Sequence, residues 1–268
     1  MTFGSGTHGC LGHGNCQDVG QAKIVEALLG YEVQQVACGA SHIMVVTADN
    51  ELFSWGRGDN GRLGLGNEET YSVPKSVALG PHFHPCTAFC GIDSSVVLTQ
   101  ENVMFACGSN RGNKLALDRE TRARVEESLS FMSVPISSFD NKSIRSVALG
   151  SSHGAAVTFD GKLYTYGSNS FGQLGYQREG LSREPQVVKS LEDKTVQLLA
   201  CGDMFTVIVT SDQRVFSWGK AARGRLGHEI EENLSSPKLL DFPEISKVLF
   251  VSCSQWRTLV AAKVKQSN

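Results

Sequence analysis

One stretch, SWGRGDNGRLGLG at residues 54–66, returns along the chain at a nearly constant interval. With Gly56, Gly61, Leu63 and Gly64 as fixed points, the spacing recurs as Gly4, Gly9, Leu11 and Gly12. It recurs again as Gly167, Gly172, Leu174 and Gly175, and as Gly219, Gly224, Leu226 and Gly227. A weaker copy keeps Gly108 and Leu115 but has Asn113 and Ala116 where the others have glycine. The leading glycines stand at 4, 56, 108, 167 and 219, so the steps are 52, 52, 59 and 52 residues. A second motif keeps phase with the first: VACGASH at 36–42, FCGIDSS at 89–95, ALGSSHG at 148–154, ACGDMFT at 200–206 and SCSQWRT at 252–258. Its glycines, Gly39, Gly91, Gly150 and Gly202, each precede the next leading glycine by 17 residues, and the last copy has Ser254 there. Two motifs locked in phase define one long structural repeat.

Within a repeat the pattern is that of short strands. Val33–Cys38 ends in small residues, Ile43–Thr47 is apolar and β-branched, and Ala48-Asp49-Asn50 supplies a turn before the strand Glu51–Trp55. At the corresponding turn of a later repeat, Asp160-Gly161 predicts a two-residue hairpin of type I′. A fourth strand, SVPKSV at 72–77, contains a proline that recurs 18 residues past the leading glycine as Pro74, Pro185 and Pro237. Proline has no N–H for the ladder, so this strand belongs at a sheet edge. Four strands without a helix cannot bury a face alone, and radial stacking solves that problem. The expected fold is therefore all-β, a β-propeller of four-stranded blades with about five repeats, in a single repeat domain spanning 1–268. The units run approximately 1–32, 33–84, 85–142, 143–195 and 196–243, with a partial unit at 244–264. The motif glycines, including Gly108 in the weaker copy, are assigned to positive φ or close backbone approach where blades meet.

Composition narrows the function classes. Glycine is 28 of 268 residues, about 10 %, above the usual level of roughly 7 %, which suits a chain rich in turns. A formal net charge of −2 opposes a surface built for phosphate backbones. No run of 18 apolar residues and no signal-type N-terminus is present, so the chain reads as soluble, intracellular and cytoplasmic. Cys38, Cys90, Cys201 and Cys253 share one repeat position with Leu149, which marks an apolar core slot holding reduced thiols. Cys107 shares the aromatic position of Phe3, Trp55, Tyr166 and Trp218. Cys10, Cys16 and Cys86 fall in loops without paired spacing.

Several signals are weaker than they look. Gly4-x-Gly6-x-x-Gly9 and Gly56-x-Gly58-x-x-Gly61 fit a dinucleotide fingerprint, but RLGLGNEETYSVP cannot supply the helix that fingerprint requires. Arg57-Gly58-Asp59 is incidental in an intracellular chain. His82, His84, Cys86 and Cys90 are zinc-ligand types, yet Cys90 sits in the core slot and the rest lie around Pro81 and Pro85. His42 and His153 share a position that also accepts Ser94, Phe205 and Arg257, which favours a buried hydrogen-bonding role over a ligand or a base. The third repeat carries seven extra residues within DRETRARVEESLSF at 118–131. That stretch reads as a solvated loop, with a helical turn allowed by Val125 and Leu129 and a partner-contacting excursion as its functional alternative. No metal, cofactor, catalytic residue or small-molecule substrate is expected.

A 52-residue period with CG-x-x-H, followed by WG-x-x-x-x-G-x-LG, resembles the regulator of chromosome condensation repeat family. The wording at 3–14, 55–66, 90–95, 106–115 and 217–227 is more similar still to the propeller tail of NIMA-related Ser/Thr kinases of the ciliary type. That resemblance implies a seven-bladed propeller attached to an N-terminal kinase domain, with a targeting and regulatory role at cilia or centrosomes. Partners would be other proteins, ciliary or centrosomal scaffolds and a kinase domain in cis. ATP and Mg would enter only with that kinase domain, because no Val-Ala-Ile-Lys, His-Arg-Asp or Asp-Phe-Gly occurs here. Five repeats against seven, and a start inside the strand at Met1-Thr2-Phe3, suggest a fragment forming an open arc. Such an arc leaves blade edges prone to pairing.

Binding then falls to loops on a constant frame. The motif loops offer Arg57, Asp59, Asn60 and Arg62, then Asn110 and Arg111, then Asn169 and Phe171, then Arg223 and Arg225. Arg and aromatic side chains are common interface anchors, so these ten residues form the candidate partner-binding surface. The alternative function, carried by the founding family, is nucleotide exchange on a Ran-like small GTPase.

Overall fold

The apolar runs between turn residues do form strands, and almost every strand pairs with the one that follows it. In the computed structural model the described residues are 1–78, 80, 83–118, 124–177, 180–229 and 231–265. They fall into two compact units, Met1–Asn110 with Val125–Pro135, and Arg111–Arg124 with Ile136–Asn268. The first unit holds β1 (Thr2–Gly4) and β2 (Val19–Lys23), a two-stranded sheet. It continues with β3 (Val33–Cys38), β4 (His42–Thr47), β5 (Leu52–Gly56) and β6 (Tyr71–Val77) as one four-stranded meander. A second meander follows in β7 (Pro85–Cys90), β8 (Ser94–Thr99), β9 (Met104–Ser109) and β10 (Glu127–Val134).

The second unit repeats the plan. One sheet is β11 (Ile144–Leu149), β12 (His153–Thr158), β13 (Leu163–Ser168) and β14 (Leu181–Val187). The next is β15 (Val196–Cys201), β16 (Phe205–Thr210), β17 (Val215–Gly219) and β18 (Leu234–Leu240), followed by the pair β19 (Ile245–Ser254) and β20 (Arg257–Val264). Pro74, Pro185 and Pro237 lie in β6, β14 and β18, each the outermost strand of its sheet.

The second strand of each four-stranded sheet is buried along most or all of its length, and β16 has an apolar layer on both faces. β8, β12 and β16 are buried along their whole length. In the first unit Met44, Val46, Leu52, Ala88, Val97, Cys107 and Phe131 form the layer between its two meanders. In the second unit one layer joins Val157, Leu163, Val196, Ile208 and Trp218, and another joins Phe205, Val207, Leu226, Val248 and Val251. Trp55 and Trp218 are 1 % and 0 % exposed, each withdrawing roughly 150–250 Å² from water.

Strand register explains why the two motifs keep phase. His42 stands opposite Gly56, Ser94 opposite Gly108, His153 opposite Gly167 and Phe205 opposite Gly219. A Cβ on Gly56 would come within 2.8 Å of the His42 Cα and 2.5 Å of the Ser41 carbonyl oxygen. The second-motif glycine serves the same ring. A Cβ on Gly39 would lie 2.3 Å from His42 Cε1, on Gly150 2.3 Å from His153 Cε1, and on Gly202 1.9 Å from Phe205 Cε1. The last copy has Ser254 and carries Arg257, with no ring, at that place.

Some local expectations are corrected. The Asp160-Gly161 hairpin is not type I′, since only Gly161 has positive φ, at 81°. It is a longer turn with one left-handed residue, a place taken elsewhere by Asn50, Asn102 and Gln213. Leu129 lies in β10, not in a helical turn, while 119–123 of the charged insertion lie outside the described residues. The shared cysteine slot is uneven: Cys201 is buried, Cys90 and Cys253 are half-buried, and Cys38 is exposed. Cys38 ends β3, whose exposed Val33 and Val36 mark an uncovered face beside the two-stranded β1–β2 sheet. Gly4 and Gly224 would meet nothing within 4 Å.

Gly64 is a motif glycine held against the core. Its φ is +71°, and a Cβ there would lie 2.3 Å from the Phe131 ring and 3.2 Å from Cys107 Sγ. Gly64→Val is expected to cost roughly 1–3 kcal/mol through backbone strain and displaced core. Thermal unfolding checks this: the midpoint should fall by several degrees, and an unchanged midpoint would contradict the packing described.

Candidate functional site

In four of the five copies the motif loop leaves its sheet at the leading glycine and curls through a single 3-10 turn, as at Asp59–Gly61, Arg111–Asn113 and Ala222–Gly224. The fourth residue after the leading glycine is left-handed in these three loops: Asn60 at φ 61°, Gly112 at 65° and Arg223 at 67°. The residue after it, Gly61, Asn113 or Gly224, stays left-handed, which swings the next carbonyl toward the neighbouring repeat. The loop is then sewn down by a hydroxyl two residues before the leading glycine. Thr2 Oγ1 donates to the Leu11 carbonyl at 2.6 Å, Ser54 Oγ to Leu63 at 2.8 Å, Thr165 Oγ1 to Leu174 at 2.8 Å and Ser217 Oγ to Leu226 at 2.6 Å. The weaker third copy has Ala106 at this place.

The ten candidate residues divide by direction. Arg57, Asp59 and Asn60 are partly exposed, Phe171 is half-buried, and Arg111 and Arg223 are exposed. Arg57 Nε donates to Asp59 Oδ2 at 2.9 Å, a bond that raises the guanidinium pKa and lowers that of the carboxyl. Asn60 donates through Nδ2 to Glu127 at 3.0 Å and through its backbone N–H to Glu68 at 2.8 Å.

Arg62, Asn110, Asn169 and Arg225 are corrected from surface to interior. Arg62 is 5 % exposed and donates to the Asp59 carbonyl, to Ser41 Oγ and to the Ile92 carbonyl at 2.9, 3.1 and 3.2 Å. Burial holds its pKa below the ordinary arginine range. Arg225, also 5 % exposed, repeats the first of these bonds to the Ala222 carbonyl at 2.7 Å, and its guanidinium lies 5.9 Å from the Phe205 ring centroid. Asn110 donates to the Val125 carbonyl at 2.8 Å. Asn169 donates to the Tyr176 carbonyl and accepts from the Leu174 N–H. These side chains hold the loops together. A signal was available for the arginines: in four of the copies the residue after the second motif position is Arg62, Lys114, Gln173 or Arg225, a column of long polar side chains that are all buried.

Trp256 stands in the last copy of the second motif at the position of Ser41, Asp93, Ser152 and Met204. It is 46 % exposed, and the Arg223 guanidinium lies 4.3 Å over its ring. On the same loop as Arg223, Lys220 Nζ lies 4.5 Å over the Phe171 ring. These four residues belong to the second unit and form a basic and aromatic face on its loops.

No acid–base chemistry is assembled from the buried pair His42 and His153. His42 Nε2 lies 2.8 Å from Ser95 Oγ and His153 Nε2 lies 3.1 Å from Thr206 Oγ1. Each hydroxyl in turn donates to a backbone carbonyl, of Arg62 and of Gln173, so each histidine carries its proton on Nε2. Burial lowers both pKa values to about 3. His82 of the zinc-type cluster lies outside the described residues, and among the described residues no group of three His, Cys, Asp or Glu could hold a metal ion.

A family model described as an RCC1-like domain matches residues 1–260. Serine/threonine-protein kinase Nek8 of Danio rerio is 44 % identical over 271 residues, which take in 98 % of this chain and 39 % of that protein. Serine/threonine-protein kinase Nek9 of Mus musculus is 34 % identical over 291 residues, 99 % of this chain and 29 % of that protein. The chain therefore spans well under half the length of these curated relatives. Among solved structures, yeast RCC1 (Prp20) bound to Kap60 superposes with a TM-score of 0.82 at 19 % identity, covering 96 % of this chain and 60 % of that one. That likeness establishes the propeller fold of four-stranded blades.

The two histidines predict a pH dependence. A folded pKa of about 3 against about 6.5 when unfolded means that the unfolded chain alone takes up protons below pH 6.5. Stability is therefore full above that value and declines as pH falls toward 3, by at most about 1.4 kcal/mol per pH unit for each histidine. His153→Phe, which copies Phe205 of the next repeat, should flatten the fall in urea midpoint between pH 6.5 and 5. An unaltered slope would place the charge uptake elsewhere.

Proposed function

The chain belongs to the RCC1-like domain family, and from that membership we propose that it is a non-catalytic propeller of the kind that tails NIMA-related kinases, targeting and regulating at the cilium or centrosome. The observation that carries this reading is the contrast between a buried constant frame and variable exposed loops. Arg57, Asp59, Asn60, Phe171 and Arg223 stand on loops tied by hydroxyl hydrogen bonds, and Arg111 stands on the third-copy loop that lacks that hydroxyl. Rigid loops lose little entropy on docking, which favours protein recognition. Support also comes from identity of 44 % and 34 % to stretches of two such kinases. Partners are other proteins, among them ciliary or centrosomal scaffolds and a kinase domain in cis. Nucleotide exchange on a Ran-like GTPase rests on likeness of fold alone, at 19 % identity, and no observation favours it.

The test is localisation in ciliated cells. The fluorescently tagged chain should concentrate at the ciliary base or centrosome, and Arg57→Glu with Arg111→Glu should lower that enrichment about tenfold at an unchanged melting temperature. A uniform cytoplasmic signal for the unaltered chain would overturn the targeting role.

A further inference from the structure

We propose that the loop face of the second unit, built on Phe171, Lys220, Arg223 and Trp256, binds an acidic peptide segment of a protein partner. This rests on the protein-binding reading above and names the chemistry of what is bound. In the first unit the exposed loop groups satisfy one another: Arg57 is paired with Asp59, and Asn60 bonds Glu127 and Glu68. In the second unit the corresponding cations face rings instead of carboxylates. Lys220 Nζ sits 4.5 Å from the Phe171 centroid and the Arg223 guanidinium 4.3 Å from that of Trp256. Among the described residues neither cation forms an ion pair. A ring face orients a cation while leaving its N–H donors available, so a carboxylate can bond the outer edge of a stacked guanidinium.

Backbone conformation adds an independent observation. Arg223 occupies the left-handed position, at φ 67°, that His8, Asn60 and Gly112 fill in other loops. Glycine and asparagine adopt that conformation readily, whereas arginine does so at a steric cost. Gln255, next to Trp256, is also at positive φ, 29°. Strained residues on both sides of one exposed stack point to a retained function, because a glycine at 223 would relieve the strain and keep the turn.

The charges around the stack fit an anionic ligand. Arg225 lies beneath the loop, buried by its own hydrogen bond, and its pKa is lowered by burial, raised by Asp203 and lowered by the charge of Arg223. The attraction of Asp203 for Arg225 outweighs the repulsion between the two guanidinium groups, so the buried arginine is already compensated and Arg223 is the cation turned to solvent. Arg257 is exposed at the start of β20. Acidic side chains interspersed with apolar ones suit loops on which each of two cations lies against a ring. Phosphate backbones and anionic lipid would engage the charge but make little use of the rings' edges.

The experiment uses the full chain and intrinsic fluorescence, since Trp55 and Trp218 are buried and only Trp256 is exposed. The probes are a labelled peptide alternating Glu with Leu or Ser, its Lys-for-Glu counterpart, a single-stranded oligonucleotide, and phosphatidylserine vesicles. The acidic peptide should bind, perturb Trp256 emission and weaken as salt is raised. Arg223→Gly with Lys220→Ser should weaken it about tenfold without lowering the melting temperature. Trp256→Phe should abolish the emission change. Absence of acidic-peptide binding, equal binding of the basic peptide, tighter binding of oligonucleotide or vesicle, or unchanged affinity in the double variant would each overturn the proposal. Failure here with normal ciliary targeting would remove only this surface. Failed targeting with intact, Arg223-dependent peptide binding would remove only the assignment to cilium or centrosome.

Discussion

The carbonyl that follows the second motif glycine is where one repeat is fastened to the next. Trp55 Nε1 donates to the Cys10 carbonyl at 2.9 Å. Ser95 Oγ donates to Arg62 at 2.8 Å, with Cys107 Sγ at 3.6 Å from the same oxygen. Thr206 Oγ1 and Trp218 Nε1 both donate to Gln173, each at 2.9 Å, and Thr258 Oγ1 donates to Arg225 at 2.8 Å. In every case the acceptor lies on a loop and the donors lie on the following sheet. Loss of a donor would leave a buried carbonyl unpaired, a cost of about 1–3 kcal/mol. The left-handed glycines matter because they aim that carbonyl outward from its own repeat and into the next.

The same joint explains which parts of the fold are legible in the sequence. Strand number, edge prolines and the 52-residue period follow from local chemistry, because turns, β-branched runs and a missing N–H act within a few residues. The phase between the two motifs is visible as a spacing of 17 residues, but its cause lies in cross-strand register, His42 against Gly56 and its equivalents. Positions whose fate depends on a neighbouring sheet are the ones that mislead. Cys38 resembles a core residue because its repeat partners are, yet the sheet beside β3 has only two strands. Arg62 and Arg225 resemble surface because arginine usually is, yet each bonds a carbonyl of its own loop, at Asp59 and Ala222. Trp256 takes a position filled by Ser41, Asp93, Ser152 and Met204 in the other copies, which suggests no common role, and only the folded chain brings Arg223 onto it.

The third motif copy shows how far the scheme bends. Ala106 stands where other copies have the loop-tying hydroxyl, and Asn113 and Ala116 stand where they have glycine. Both residues nevertheless hold φ at 55°. Asparagine tolerates that conformation and alanine does so at a cost. The turn is thus imposed by its surroundings, and Asn113 contributes a compensating bond, donating through Nδ2 toward the Ser182 and Arg183 carbonyls of β14. The backbone path of the loop is the invariant, while the residues that achieve it vary.

From that invariance follows the separation between assembly and recognition. The acceptor at each joint is a main-chain carbonyl, so its own side chain can be Cys10, Arg62, Gln173 or Arg225 without altering the fastening. One residue earlier in the loop than the second glycine, Asn60 and Arg223 project from the same left-handed turn, while Phe171 takes that place in the fourth copy without the left-handed φ. A propeller held by side-chain complementarity would have coupled these changes, since altering a loop residue would have weakened a joint. Here the joint resists substitution because it contains no side chain on the accepting side. The loops can therefore acquire a self-paired polar face in one unit and a cationic, aromatic face in the other while the sheets beneath them stay the same.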